Sequence, residues 1–218
     1  MMEFYKSDLA TTCRSQGFIR RGNTYFRLWG DGVLQVIKCT RERSLWSNVI
    51  YVGLFSMYGE LERQWFTAIG AIPRYPVINC YNQNQRPLIF AQDMDMQLMM
   101  LKTRVLPWLD TIDTQKKLVM AIGKLDSRWN DDLKIGPYLA CGESNHAKKV
   151  IREILAQHGS GNWFWVPDED GEPEKKGDRA LLAVIDVIDA GDEAIQSYIK
   201  ANYETNMSYA QSCLGLKL

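Results

Sequence analysis

The sequence predicts an α+β fold: an N-terminal antiparallel sheet of three or four strands packed by helices, followed by an all-helical C-terminal half. Three observations predict it. Up to about residue 92, β-branched and aromatic runs carry the period of two expected of strands. From Asp93 onward the apolar residues recur with a period near 3.6. The 218 residues, 46 % of them apolar, suffice for a sizeable core without disulfides or metals. Strands first and helices after is the order of an α+β protein. The sheet needs a covering layer, and no Gly/Ser-rich linker separates the halves. Residues 1–130 are therefore expected to form the sheet unit with its covering helices. Residues 131–218 are expected to form a helical extension packed on it.

The first fifteen residues read as a short helix, with Tyr5, Leu9, Thr12 and Cys13 on one face and Gly17 as the stop. Residues 24–29 and 33–40 read as a hairpin around Gly30-Asp31-Gly32, because glycine tolerates positive φ. In the second strand Val33, Gln35 and Ile37 alternate with Leu34, Val36 and Lys38. Both of its faces are apolar at the centre, which predicts an internal strand covered on at least part of each side. Residues 48–57 supply the next strand. Pro73, Pro76 and Pro87 make residues 60–92 an expected irregular connection, with 86–90 a candidate edge strand.

Leu98, Leu101, Val105, Trp108 and Ile112 then form one helical stripe, with Asp93 as N-cap. Pro107 is expected to kink or end that helix. Thr114 is placed to cap the next helix, in which Leu118, Ile122 and Leu125 align. Residues 136–141 and 145–158 read as two helices around Gly142. Residues 159–178 read as a long loop. Asp178 is expected to cap a helix through Ile188, and Asp192 another through Tyr203. The last ten or so residues are expected to be frayed.

Composition narrows the function classes. The 26 basic and 26 acidic residues cancel, which argues against a dedicated nucleic-acid binder. Charge is uneven, however. Residues 1–43 hold eight basic and four acidic residues, a net of +4. Residues 160–195 hold three basic and ten acidic, a net of −7. A solvated acidic face is one reading, and contact with a basic partner or with the N-terminal segment is the other. No run of about 18 apolar residues suggests a membrane span, and the first residues lack a signal-peptide core. Five scattered cysteines without a CxxC pair suit free thiols in a cytoplasmic setting.

Chemistry-bearing motifs are sparse. GxSxG, Walker A and GxGxxG are absent. His146 and His158, twelve residues apart on one helix, cannot share a metal. Cys141, Glu143 and His146 match no standard zinc spacing. Neither a metal nor a cofactor is expected, and no catalytic residue is assigned.

The candidate contact residues are Arg20, Tyr25, Arg27 and Trp29 around the first strand, and Trp163 and Trp165 in the long loop. Tyr25, Arg27 and Trp29 alternate onto one face, which either grips an acidic or planar ligand or covers the core edge. If Arg20 and Arg27 are ligand contacts, replacing both by Ala leaves stability nearly intact. Trp163 and Trp165 either anchor their loop or form an exposed recognition patch.

Two resemblances rest on particular residues. The run from Gly17 to Arg27 with Gly30-Asp31-Gly32-Val33-Leu34-Gln35-Val36-Ile37, and then Tyr51-Val52-Gly53-Leu54, resembles domain-of-unknown-function family 4304 over roughly residues 5–130. That resemblance implies an α+β fold in a bacterial cytoplasmic protein and carries over no activity. Tyr138-Leu139-Ala140-Cys141-Gly142 with Ala147 is similar to the turn of a tetratricopeptide hairpin, near residues 137–158. The 49-residue step from Gly142 to Gly191 departs from that family's repeat length.

The leading expectation is a non-catalytic binding or interaction protein, for example a bacterial immunity or regulatory partner that binds another protein. The alternative is a small hydrolase or nucleotide-handling enzyme using carboxylates and arginines. The oligomeric state is left open.

Overall fold

The computed structural model describes residues 2–42, 47–59, 94–123, 134–158 and 173–216. Helix α1, Met2–Ser15, ends in a Schellman motif. Gly17, at φ +79°, donates its N–H to the Arg14 carbonyl, and the Phe18 N–H reaches back to that of Cys13. That reversal starts a four-stranded antiparallel sheet in the order β1-β2-β3-β4. Its strands are β1, Ile19–Arg21; β2, Thr24–Trp29; β3, Val33–Glu42; and β4, Ser47–Ser56.

Strand β1 lies beyond the expected hairpin. Arg21 pairs with Thr24, so Gly22-Asn23 forms a two-residue turn with Gly22 at φ +60°. β2 is thereby an interior strand, not the edge where a solubilising arginine would stand. The Gly30-Asp31-Gly32 turn sets the β2–β3 register, with Trp29 opposite Val33 and Arg27 opposite Gln35.

Both faces of the sheet are covered. On one, Tyr25, Val33, Ile37, Val52 and Leu54 pack against Leu9, Ala10 and Cys13 of α1 and a helical layer running from residue 94 to 123. That layer holds α2, Met94–Met100; a π-helical turn, Leu101–Val105; α3, Leu106–Asp110; and α4, Gln115–Gly123. Pro107 does not end the rod. It sits in the first turn of α3, directly after the π turn. Thr114 caps α4 as expected, its hydroxyl accepting the Lys117 N–H at 3.3 Å.

The helical half begins with the hairpin α5, Ile135–Ala140, and α6, Ser144–His158. Gly142, at φ +75°, closes the first of these helices, with the Glu143 N–H bonded to the Tyr138 carbonyl at 2.8 Å. α7, Pro173–Asp189, starts five residues before the expected cap, so Asp178 lies inside it, and proline occupies the helix start. α8, Asp192–Tyr209, follows Gly191 and outruns its expected end at Tyr203.

Residues 207–216, expected to be frayed, are packed instead. A second π turn, Ala210–Leu214, places Ala210, Leu214 and Leu216 on the other sheet face, against Phe26, Leu34, Val36 and Phe55. α8 thus serves two cores. Ile195 and Ile199 join Ile151, Leu139 and Val184 in the helical half, while Met207 joins the sheet. Pro73, Pro76, Pro87, the candidate strand 86–90, Asp93, Leu125 and the loop with Trp163 and Trp165 lie outside the described residues.

Candidate functional site

Arg27 sits at the centre of the sheet's first face, only 5 % exposed. Its guanidinium lies between two rings, 4.6 Å from the Phe18 centroid and 4.3 Å from that of Trp29. Its Nε and Nη2 donate to Gln35 Oε1 at 2.9 and 2.6 Å. Nη1 donates to the Gln16 carbonyl at 2.9 Å, and Nη2 also reaches Asp110 Oδ1 at 2.5 Å. Gln35 is fully buried and passes the chain on, its Nε2 donating to the Leu109 carbonyl at 2.8 Å. The Trp29 indole N–H donates to the Asp110 carbonyl at 3.1 Å. One cation thus ties together the end of α1, two strands and the end of α3. A buried charge is tolerated only when its donors are met in this way.

The expected shared face of Tyr25, Arg27 and Trp29 exists, but helices cover it, so it is not an open grip for a ligand. Tyr25 is buried, and burial raises its hydroxyl pKa. Arg20, cross-strand from Tyr25, stays exposed; its Nε donates to the Gly22 carbonyl, and its guanidinium lies 5.8 Å from the Tyr25 ring. Replacing Arg27 is therefore not neutral for stability, since its donors hold buried partners. Arg20 alone fits the neutral reading.

Sequence reasoning missed the amides. Gln35, Gln97, Gln115 and Asn206 are all buried. Gln97 Oε1 accepts the Ile50 N–H at 3.0 Å. Gln115 takes the Ser56 hydroxyl at 2.7 Å and donates to the Asp31 carbonyl. Asn206 Nδ2 bridges the carbonyls of Met57 and Gly59, each at 2.8 Å. The signal for Gln35 was available. A three-residue turn between Trp29 and Val33 forces Arg27 opposite Gln35, and a buried arginine needs such an acceptor.

Asp110, whose Oδ1 meets Arg27, also stands at the wall of a groove of about 460 Å³. Thr11, Thr12, Ser15 and Gln16 line it from the end of α1, and Lys102, Leu106 and Pro107 from the π turn and α3. A shallower depression on α6 carries Lys148, Lys149, Arg152 and Glu153. There Lys149 pairs with Glu153, and Lys148 with Asp189.

Two of the thiols, Cys13 and Cys141, are poor nucleophiles. Cys13 is buried, and burial pushes its pKa up to about 12. Burial likewise raises that of Cys141, helped by Glu143 and Asp31. His146 pairs with Glu143 at 3.3 Å and stacks on Tyr138. Among the described residues no group of three or more His, Cys, Asp or Glu side chains is arranged to hold a metal ion, and no helix is long and apolar enough to cross a membrane. No protein-family model matches the sequence, and no curated protein or solved structure shows significant similarity to it.

Proposed function

We propose that the chain is a non-catalytic binding or interaction protein whose partner is another protein. One observation carries this reading. The buried guanidinium of Arg27, which meets Asp110 of the groove wall through Oδ1, is committed to holding the sheet to its helices. Acid–base or phosphoryl chemistry asks for charged groups left free to meet a substrate. Supporting it, Met99 and Met120 are 55 % and 57 % exposed on the helices that cover the sheet. Flexible, polarizable methionine side chains suit a surface that adapts to a partner.

The test is site-specific photo-cross-linking from positions 99 and 120 in cells of the source organism. The expected result is a cross-linked partner of defined mass. It disappears in the double variant Met99→Glu, Met120→Glu while the melting temperature moves by less than about 2 °C. Hydrolysis of nucleotides or phosphoesters by the purified chain, abolished by Lys102→Ala, would instead establish the enzyme reading.

A further inference from the structure

Thr12 departs from the rule that buried polar groups are hydrogen-bonded, as the Tyr25 hydroxyl also does among the described residues. Only 8 % of the residue is exposed. Its carbonyl accepts the Ser15 hydroxyl at 2.9 Å, but its own hydroxyl has no hydrogen-bond partner among the described residues. Burying a hydroxyl without a hydrogen bond is costly, and valine would fill the same shape without that cost. Orphaned polar groups are rare in native interiors, and they concentrate where local stability has been given up for function.

Thr12 lines the groove between α1 and α3, and its neighbours there share its character. Ser15 uses its proton on the Thr12 carbonyl, so its oxygen lone pairs stay open. Asp110 engages Arg27 through Oδ1, and its Oδ2 has no partner among the described residues. The exposed Lys102 ammonium has no carboxylate partner among them either. Lys102 belongs to the π turn that forms part of the groove wall, and such turns recur at functional sites.

We infer that this groove binds a small polyhydroxylated molecule carrying one carboxylate or phosphate group. Donors and acceptors from Thr11, Thr12, Ser15 and Asp110 Oδ2 match the two-way hydrogen bonding of adjacent hydroxyls. The single ammonium of Lys102 matches one anionic group. Leu106 and Pro107 offer an apolar surface to the ligand's C–H bonds. A volume of about 460 Å³ suits one sugar-sized molecule. The inference is separate from the partner-protein surface proposed around Met99 and Met120, neither of which lines the groove.

Amide NMR shifts of the full chain test it, on titration with gluconate and with glucose 6-phosphate to about 10 mM. Sorbitol and inorganic phosphate each supply one feature alone. Both anionic polyols are expected to shift amides at residues 11–16 and 102–110, and each control to bind at least about tenfold more weakly. Lys102→Ala is expected to weaken binding about tenfold. Thr12→Val is expected to weaken it similarly while raising the melting temperature, because it removes the orphaned hydroxyl. The inference is overturned by any of three results. One is the absence of shifts with both anionic polyols. Another is phosphate alone binding as well as they do. The third is a Thr12→Val variant that keeps affinity or loses stability, which would mean that an ordered water satisfies the hydroxyl.

Discussion

Arg27 and Arg20 stand seven residues apart on neighbouring strands, yet their surroundings assign them opposite weights. Removing Arg27 leaves Gln35, the Gln16 carbonyl and Asp110 without their donor in or beside the core. Arg27→Ala is expected to destabilise by about 1–3 kcal/mol in urea unfolding, chiefly by leaving the buried Gln35 acceptor unmet, since Asp110 is solvated. Arg27→Lys is expected to recover little of that, since a lysine cannot serve the planar fork between two rings. Arg20→Ala is expected to cost under about 0.5 kcal/mol. The residue types were legible in the sequence and the burial was not, because an arginine between Phe26 and Leu28 reads equally as edge or core until β1 is recognised. Cys13 gives a pH prediction. Its thiol has a folded pKa of about 12 against an ordinary value of 9.0, so the folded state keeps the proton longer than the unfolded one. Stability therefore falls as pH rises from about 9 toward 12, by up to about 1.4 kcal/mol per unit. Cys13→Ala should flatten that fall, as read from urea midpoints at pH 8 and 10.

Elements in this chain are fixed by their ends, and a positive-φ glycine marks several of those ends. Gly30, at φ +50°, lies where an added Cβ would come 2.1 Å from the Asp113 carbonyl oxygen, and the Asp31 N–H is bonded to that same oxygen at 2.7 Å. Gly142 has a similar φ, but open space around its Cβ position. The two separate conformational cost from steric cost. Gly142→Ala is expected to lose about 1 kcal/mol and Gly30→Ala more than about 2 kcal/mol, both measured by chemical denaturation. Glycines and alternation made β2, β3, β4 and the α5–α6 hairpin readable. β1 went unread because three residues are too few for a period, although Gly22-Asn23 carried the turn signal. The two π turns went unread for another reason. A single i→i+5 turn inside an α-helical run has no residue-type signature of its own.

At the scale of the molecule, the sheet is the middle of three layers, and the third layer is the one that the sequence hid. The tail from Met207 to Leu216 mixes small and polar residues without a strong period, so its burial depends on the waiting face of Phe26, Leu34, Val36 and Phe55. Arg21 adds a tether, its Nε donating to the Leu214 carbonyl at 3.0 Å. Val36→Asp is expected to prevent folding, because it places a charge between the sheet and that tail. Removing residues 207–218 is expected to abolish protection of the β2 and β3 amides in hydrogen exchange. A truncated chain that keeps full protection would show the sheet to be self-sufficient. The tail also sets a schedule. A ribosome makes every strand of the sheet about 150 residues before it makes Met207. Throughout that interval the face of Phe26, Leu34, Val36 and Phe55 lacks the cover that Met207, Ala210, Leu214 and Leu216 give it. The nascent chain must shelter that face until residues 207–216 emerge, and a message cut short before them yields a product marked for degradation by what it leaves uncovered.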